Sequence, residues 1–147
     1  MFIFEIYGPP IPQKQTRFTC AGGKPRTWDP SKVDKEKIQW QIKPFAPKEP
    51  LTGAIELTIH FYLAIPKNTP SKTRKAMINR IILPVVKPDE DNLAYIVSNA
   101  LKNLVYKDDN QVCVKNVYKF YGEEPKTVIK VREILQLDQL GYHESSV

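Results

Sequence analysis

Five of the 16 Asp and Glu residues of this 147-residue chain fall in two short segments. The first segment, residues 87–92, reads KPDEDN, and the second, residues 107–111, reads KDDNQ. Crowded carboxylates repel one another, so such clusters are costly unless a cation or basic side chains neutralise them. Carboxylate oxygens with open water positions are the ligands that Mg²⁺ and Mn²⁺ prefer. The two segments therefore predict a site for a hard cation.

The overall charge indicates what such a cation would act on. The chain has 22 Lys and Arg residues against 16 Asp and Glu residues, a formal net charge of +6 with a pI near 9.3. A basic surface favours a polyanionic partner, although many basic proteins have none. Beside such a surface, a bound metal polarises a phosphoryl oxygen and supplies a hydroxide, while Lys and Arg hold the backbone. The combination favours phosphate chemistry on nucleic acid.

Each acidic segment also has a purely structural interpretation. Asp91 can serve as the N-cap of the helix that follows it, and residues 108–110 can form a solvated turn. Neither segment alone distinguishes these interpretations from a metal site. An EF-hand is excluded, because the chain contains no D-x-[DN]-x-[DN]-G run with its closing Glu.

A helix between the two acidic segments must position them. Apolar residues recur at helical spacing from Leu93 to Leu104, which predicts a buried face. The opposite face carries Asp91, Tyr95, Ser98, Asn99 and Lys102. A helix of this length can fold back across a sheet. Both acidic segments are therefore expected to meet at one end of the helix layer.

The remaining elements follow from alternation and from turn residues. Helices are predicted from Asp29 to Lys43 and over a short stretch starting at Ser71. The strongest strand pattern runs from Thr52 to Leu63. Further strands are predicted over Phe2–Tyr7, Gln111–Tyr121 and Lys126–Leu135. The last two are expected to form a hairpin through residues 122–125.

Length and composition bound the domain organisation and the compartment. The sequence predicts one α/β (α+β) domain over residues 1–135, followed by a polar, frayed tail over residues 136–147. Cys20 and Cys113 lack the spacing of a zinc site or of a disulfide framework. The first apolar run, at residues 2–7, is too short for a signal sequence, and we expect neither a signal sequence nor a membrane span. A cytoplasmic protein without a membrane partner is expected.

Two segments are basic and free of acidic residues. Residues 13–28 form a basic arm with a Gly22-Gly23 turn at its tip, and residues 67–87 form a second basic segment. Phe18 and Trp28 in the arm can either stack on exposed bases or anchor the loop. The candidate DNA-binding residues are Lys14, Arg17, Lys24, Arg26, Lys67, Lys72, Arg74, Lys75 and Lys87.

Taken together, the motifs resemble the signature of the RusA family of Holliday junction resolvases. The likeness lies in KPDEDNL at residues 87–93, Ala100-Leu101, and VYKDDNQV at residues 105–112. Outside the signature, Pro10-x-Pro12-x-Lys14-x-x-Arg17-Phe18, Trp28-Asp29-Pro30 and Ile65-Pro66-Lys67 follow the family's order. The likeness covers about residues 1–135.

The resemblance implies a fold, an activity and a set of site residues. The fold would be a small unit with a mixed sheet and helices packed on it. The activity would be that of a homodimeric, Mg²⁺-dependent endodeoxyribonuclease, with Mn²⁺ as a possible substitute. Such an enzyme nicks four-way DNA junctions symmetrically in recombination and repair. The catalytic, metal-binding residues would be Asp89, Asp91 and Asp109, with Asp108 as a further metal ligand.

Two positions depart from the family pattern. Tyr95 stands where the family has a lysine, and Asn99 stands where it has an aspartate. In the family that lysine is tied to catalysis, and Lys87 or Lys107 are candidates to replace its charge. Two alternatives therefore stay open. One is a junction-binding protein with impaired cleavage, and the other is a nuclease for flaps or other branched DNA.

Overall fold

The computed structural model describes residues 1–135, which contain six strands and three α-helices. The strands are β1 (Phe2–Tyr7), β2 (Arg17–Thr19), β3 (Arg26–Trp28), β4 (Ala54–Ala64), β5 (Val112–Gly122) and β6 (Lys126–Ile134). The helices are α1 (Lys32–Ile42), α2 (Ser71–Ile78) and α3 (Glu90–Leu101). The predicted tail over residues 136–147 lies outside the described residues.

A four-stranded mixed sheet in the order β1-β6-β4-β5 forms the centre of the fold. Strand β6 pairs antiparallel with both β1 and β4, whereas β4 and β5 are parallel. Strands β2 and β3 form a separate antiparallel hairpin, with the predicted glycine turn at its tip. The expected small α+β domain with a mixed sheet is confirmed.

The hairpin predicted between β5 and β6 is wrong, because β4 lies between these two strands. Two strand spacings amount to about 9.6 Å, and four extended residue steps reach about 13 Å, so residues 122–125 can cross over β4. Gly122 eases the crossing, since a Cβ there would lie 3.1 Å from Cβ of Tyr62. Strand β6 is an interior strand because it pairs with both β1 and β4, and its Ile129 and Val131 are fully buried.

The core lies between one face of this sheet and helices α1 and α3. The alternation predicted for β4 is confirmed, because Ile55, Leu57, Ile59 and Phe61 are all buried. The predicted apolar face of α3 is buried as well, although the helix ends at Leu101 and not at Leu104. The buried face of α3 leaves its opposite side exposed beside the sheet.

Two helix starts differ from the sequence prediction. Helix α1 begins at Lys32, and Oδ1 of Asp29 instead accepts a hydrogen bond from the backbone N–H of Ser31 at 2.9 Å. Helix α3 has Asp89 at its N-cap, which places Asp91 inside the first helical turn. Negative charge in this turn is favourable because the helix dipole is positive there.

Core packing gives a first stability prediction. Ile59 is fully buried at the centre of β4, so Ile59→Ala is expected to lower the free energy of unfolding by about 2–5 kcal/mol. Ile81→Ala is the control, because Ile81 is 76% exposed and its truncation is expected to change stability by less than about 0.5 kcal/mol. Urea unfolding followed by circular dichroism measures both. Equal midpoints for the two variants would contradict the assigned core.

No helix within residues 1–135 is both long enough and apolar enough to cross a membrane.

Candidate active site

The exposed side of α3 carries a row of polar residues spaced by four. Asp91, Tyr95 and Asn99 occupy successive turns, and side chains at this spacing lie one above the other on a helix. Tyr95 is 56% exposed and Asn99 is half-buried. Asp89 lies at the N-terminal end of the same helix, with its carboxylate exposed. Helix α3 therefore presents the first acidic segment at the start of an accessible face.

The second acidic segment reaches the middle of this face because of Tyr106. Its ring is fully buried, and its hydroxyl donates a hydrogen bond to the backbone oxygen of Ser98 at 3.2 Å. Burial raises the pKa of the Tyr106 hydroxyl far above its ordinary value, and the neighbouring Asp109 carboxylate raises it further. Tyr106 thus brings Asp109 to the level of Ser98, about two turns beyond Asp91 along α3.

Asp109 and the α3 face line a common cleft of about 290 Å³. Its walls are formed by Tyr95, Ser98, Asn99, Asp109, Val112, Cys113 and Lys115. A second cleft of about 390 Å³ shares Tyr95 and Asn99 with the first. Its remaining wall comes from residues 13–16, Asp29 and Asn92. The two clefts adjoin at Tyr95 and Asn99, one beside the basic arm and the other beside Asp109, and we call them together the groove over α3.

The sequence led us to expect that the two acidic segments meet at one end of the helix layer, and they do not. They lie on one face of α3, and Tyr95 occupies the turn after Asp91 and borders the cleft of Asp109. Within residues 1–135, no three acidic, histidine or cysteine side chains are close enough together to hold a metal ion. The structure therefore places Asp109 in a cleft beside Tyr95, whereas Asp89 and Asp91 lie near the start of α3 and are not among the residues that line the two clefts.

Asp108 has a different environment from Asp109. Its Oδ1 accepts a hydrogen bond from the backbone N–H of Asp109 at 2.7 Å, and it lies 3.4 Å from Nζ of Lys102. Oε1 of Gln111 in turn accepts a hydrogen bond from the backbone N–H of Asp108 at 2.8 Å, which completes a capping box. The Asp108 carboxylate thus fixes the turn that presents Asp109.

Lys115 borders the cleft and was missed by the sequence reasoning. A β-bulge shifts the register at this point, since Ile55 pairs with Val112 but Glu56 pairs with Val114. Beyond the bulge, Lys115 pairs with Leu57, whose side chain points into the core, so Lys115 lies on the side of the sheet that faces α3. Bulges re-aim side chains in this way next to functional sites. Simple alternation from Val112 would have placed Lys115 on the other face.

The basic arm is fastened beside the first turn of α3. The backbone N–H of Gln13 donates to the carbonyl oxygen of Asn92 at 3.0 Å, and its side-chain amide donates to Asp29 at 3.0 Å. The backbone N–H of Lys14 donates to Oγ of the fully buried Ser31 at 2.7 Å. Beyond this anchor the arm continues into the β2–β3 hairpin, where three of the candidate cations are exposed: Arg17, Lys24 and Arg26.

The candidate DNA-binding residues do not all lie on this groove. Lys14 borders the groove, but its Nζ also lies 3.7 Å from a carboxylate oxygen of Asp34. The second basic segment contains α2, which packs on the edge strand β5. Lys67, Lys72 and Lys75 are exposed around this helix, and Arg74 is half-buried. Lys87 is exposed just before the N-cap of α3, so it alone of this segment adjoins the first acidic residues.

Comparison with known proteins identifies the family of the chain. A model of the family described as endodeoxyribonuclease RusA matches residues 7–132. A relative from Bacillus subtilis (strain 168), described only as the uncharacterized protein YqaN, is 36% identical over 135 residues. That alignment covers 89% of this chain and 95% of the relative. The residues matched by the family model include both acidic segments, Tyr95 and Lys115.

Proposed function

The chain belongs to the RusA family of endodeoxyribonucleases, and from this premise we propose that it cuts four-way DNA junctions in recombination and repair. The family makes the chain an endonuclease of the Holliday junction resolvase type. The metal requirement, the symmetric nicking and the residue roles given below are parts of the proposal.

The observation that carries the proposal is the groove over α3. One wall carries the carboxylate of Asp109, the floor carries the exposed face of α3, and the opposite wall is the anchored basic arm. Carboxylates supply the chemistry of phosphodiester hydrolysis, and basic side chains hold the DNA backbone. A groove that offers both to one strand is suited to cutting it.

Asp89, Asp91 and Asp109 are the residues that would hold a divalent cation. All three are exposed carboxylates, and none takes part in the ion pairs formed among residues 1–135. When bound, Mg²⁺ supplies a Lewis acid for the scissile phosphate and lowers the pKa of a coordinated water. Because these three carboxylates do not form a cluster within residues 1–135, cation binding requires the 107–111 segment and the start of α3 to approach each other. We therefore expect weak binding without DNA.

The other residues of the groove position DNA or supply charge. Lys115 offers a cation on the Asp109 side of the cleft, where Tyr95 contributes only a neutral phenol. Lys14, Arg17, Lys24 and Arg26 of the arm contact the DNA backbone, and Lys87 does so just before the N-cap of α3. Asp108 holds the turn that presents Asp109, so we assign it a positioning role.

Cleavage of defined substrates tests the proposal. End-labelled four-way junction, flap and linear duplex are each incubated with the protein in Mg²⁺ or in EDTA. We expect paired nicks in the junction with Mg²⁺, little cutting of linear duplex, and none of any substrate in EDTA. Preferential cutting of flaps would favour the other branched-DNA alternative. Cutting that survives EDTA would contradict the metal requirement.

Assembly and salt dependence give a second prediction. Two equivalent scissile phosphates call for two equivalent sites, so we expect a homodimer with about twice the 16.9 kDa mass of the chain. Junction affinity should fall steeply with salt, and each arm cation replaced by glutamine should reduce the slope of log K against log[salt] by about 1. Light scattering and fluorescence anisotropy measure the two properties. A monomeric mass or a flat salt response would contradict this part of the proposal.

The junction-binding alternative is favoured by one observation, namely that Tyr95 and Asn99 line both halves of the groove. If neither Lys115 nor a flanking lysine supplies the missing charge, binding persists and cutting is impaired. Saturating junction binding without any nicks in Mg²⁺ or Mn²⁺ is the result that would establish it.

A further inference from the structure

The sheet face opposite α1 and α3 is unusual in its composition. Along each strand, every second side chain points into the core, and the side chains between them form what we call the open face. These side chains are half-buried or exposed. Its central residues are Thr58, His60 and Tyr62 of β4, Asn116, Tyr118 and Phe120 of β5, and Lys126, Val128 and Lys130 of β6. The groove over α3 uses none of them.

Four aromatic rings form a continuous cluster on the open face. The His60 ring lies 4.9 Å from the Tyr118 ring and 5.6 Å from the Phe120 ring, in both cases nearly at right angles. The rings of Tyr118 and Phe120 are nearly parallel, with their centres 5.8 Å apart. Tyr62 completes the cluster, 5.8 Å from Phe120. Tyr118 is 45% exposed, so part of the cluster is open to a ligand.

Basic side chains surround this cluster. The guanidinium of Arg80 stacks over the Phe120 ring at 4.1 Å and lies 3.5 Å from the Tyr62 hydroxyl. Lys126 lies 5.7 Å from the centre of the Tyr62 ring. Lys130 is one strand away from His60 on the same face. Burial lowers the pKa of His60, and the positive charges of Lys130 and Arg80 lower it further, which indicates a positive potential around the rings.

The acidic residues of the open face are already engaged. Glu5 lies 3.6 Å from Lys126, and Glu56 lies 3.0 Å from Arg132. Neither Lys130 nor Arg80 takes part in the ion pairs formed among residues 1–135. The face therefore keeps an excess of positive charge. A second copy packed here by two-fold symmetry would bring these positive faces together, whereas a nucleic acid strand would neutralise them.

We propose that the open face binds the unpaired bases of single-stranded DNA. Exposed aromatic rings beside cations are the features by which proteins bind single strands without sequence preference, because every base has a face that can stack. Paired bases in a duplex do not offer these faces, so the ligand is an unpaired stretch. The inference rests on the proposed function only in taking branched DNA, opened at its branch point, as the source of such bases.

Binding of a 15-residue oligothymidylate, followed by fluorescence anisotropy in EDTA, tests the inference without any cleavage. Stacking on one ring contributes enough that Tyr118→Ala is expected to weaken binding about tenfold, whereas Tyr118→Phe keeps parental affinity. Trp40→Ala is the matched control. Trp40 is 77% exposed on α1, which packs on the other side of the sheet, so its removal should leave the affinity unchanged. Parental circular dichroism for Tyr118→Ala would confirm its folding.

Two results would overturn the inference. One is equal oligothymidylate affinity for the parent and for Tyr118→Ala. The other is a parental dimer that becomes monomeric on Tyr118→Ala, which would make the open face an interface between copies. Junction cleavage is measured on the same preparations, so a failure of this inference can be distinguished from a failure of the proposed function. A protein that cuts junctions without binding the oligonucleotide refutes only this inference, and one that binds it without cutting any DNA refutes only the proposed function.

Discussion

Asp109→Asn is expected to reduce junction cleavage by at least about 10²-fold while junction affinity stays equal or increases. The substitution removes one of the proposed cation ligands, and it also removes a negative charge from the wall of the groove, which repels the DNA backbone. Tyr106 and the capping box of residues 108–111 hold the local backbone, so the fold should be retained. Single-turnover cleavage and gel shifts on one preparation measure both effects.

Asp108→Asn is the matched control, since it makes the same chemical change one residue away. Asparagine caps helices about as well as aspartate, so the turn should keep its geometry and the cleavage rate should stay close to parental. Binding of Mn²⁺ in the presence of junction DNA, followed by electron paramagnetic resonance, provides a readout besides activity. Asp109→Asn should lose the bound Mn²⁺ signal and Asp108→Asn should keep it. The reverse order would show that Asp108 is the ligand and Asp109 the structural residue.

Lys115→Ala is expected to slow cleavage of a saturating junction by about 10²-fold, with little change in affinity. Negative charge builds up on the phosphoryl oxygens during phosphodiester hydrolysis, and a fixed cation beside them stabilises the transition state more than the ground state. Lys115 borders the cleft of Asp109, whereas Tyr95, which lines the same cleft from α3, offers only one hydrogen bond from a neutral phenol. Single-turnover rates at saturating junction separate this effect from binding.

Rescue of the cleavage rate by a lysine on α3 makes this prediction specific. Adding Tyr95→Lys to Lys115→Ala should restore most of the lost rate, because it returns a cation to the same cleft from α3. Tyr95→Phe alone should behave like the parent. If Lys115→Ala cuts at the parental rate and Lys87→Ala or Lys107→Ala is slow, a lysine flanking the acidic segments supplies the charge. If none of the three is slow and Tyr95→Lys still accelerates cutting, the natural site lacks this cation altogether.

The parts of the fold that the sequence predicts well are those with a strong local pattern. Strand β4 and helix α3 each bury one face over three or more turns or pleats, so their periodicity alone was sufficient. The partners of β5 and β6 were not predictable in this way, because a short connection with turn residues fits a hairpin and a crossover equally well. The deciding fact, that β6 is buried between β1 and β4, is a tertiary property.

Of the candidate carboxylates, Asp109 lines the cleft, together with Lys115, which the sequence analysis did not single out. Asp89, Asp91 and Asp109 stand out because acidic residues are rare in the middle of a basic chain. Simple alternation along β5 places Lys115 on the face away from α3. The β-bulge reverses this direction, and the residue types around Cys113 do not reveal the bulge. The distance between the two acidic segments along α3 was also hidden, since it depends on where Tyr106 is buried.

The position of β6 in the sheet also determines the order in which the fold can be completed. Strands β1 and β4 are each translated before β6, yet neither has the other as a neighbour, and only β6 joins them. Until residue 134 has been synthesised, the sheet lacks an interior strand, and α1 and α3 have no complete surface on which to pack. A nascent chain therefore displays its basic arm and both acidic segments without the groove that aligns them. The groove over α3 therefore forms only once β6 has joined β1 and β4 in the sheet.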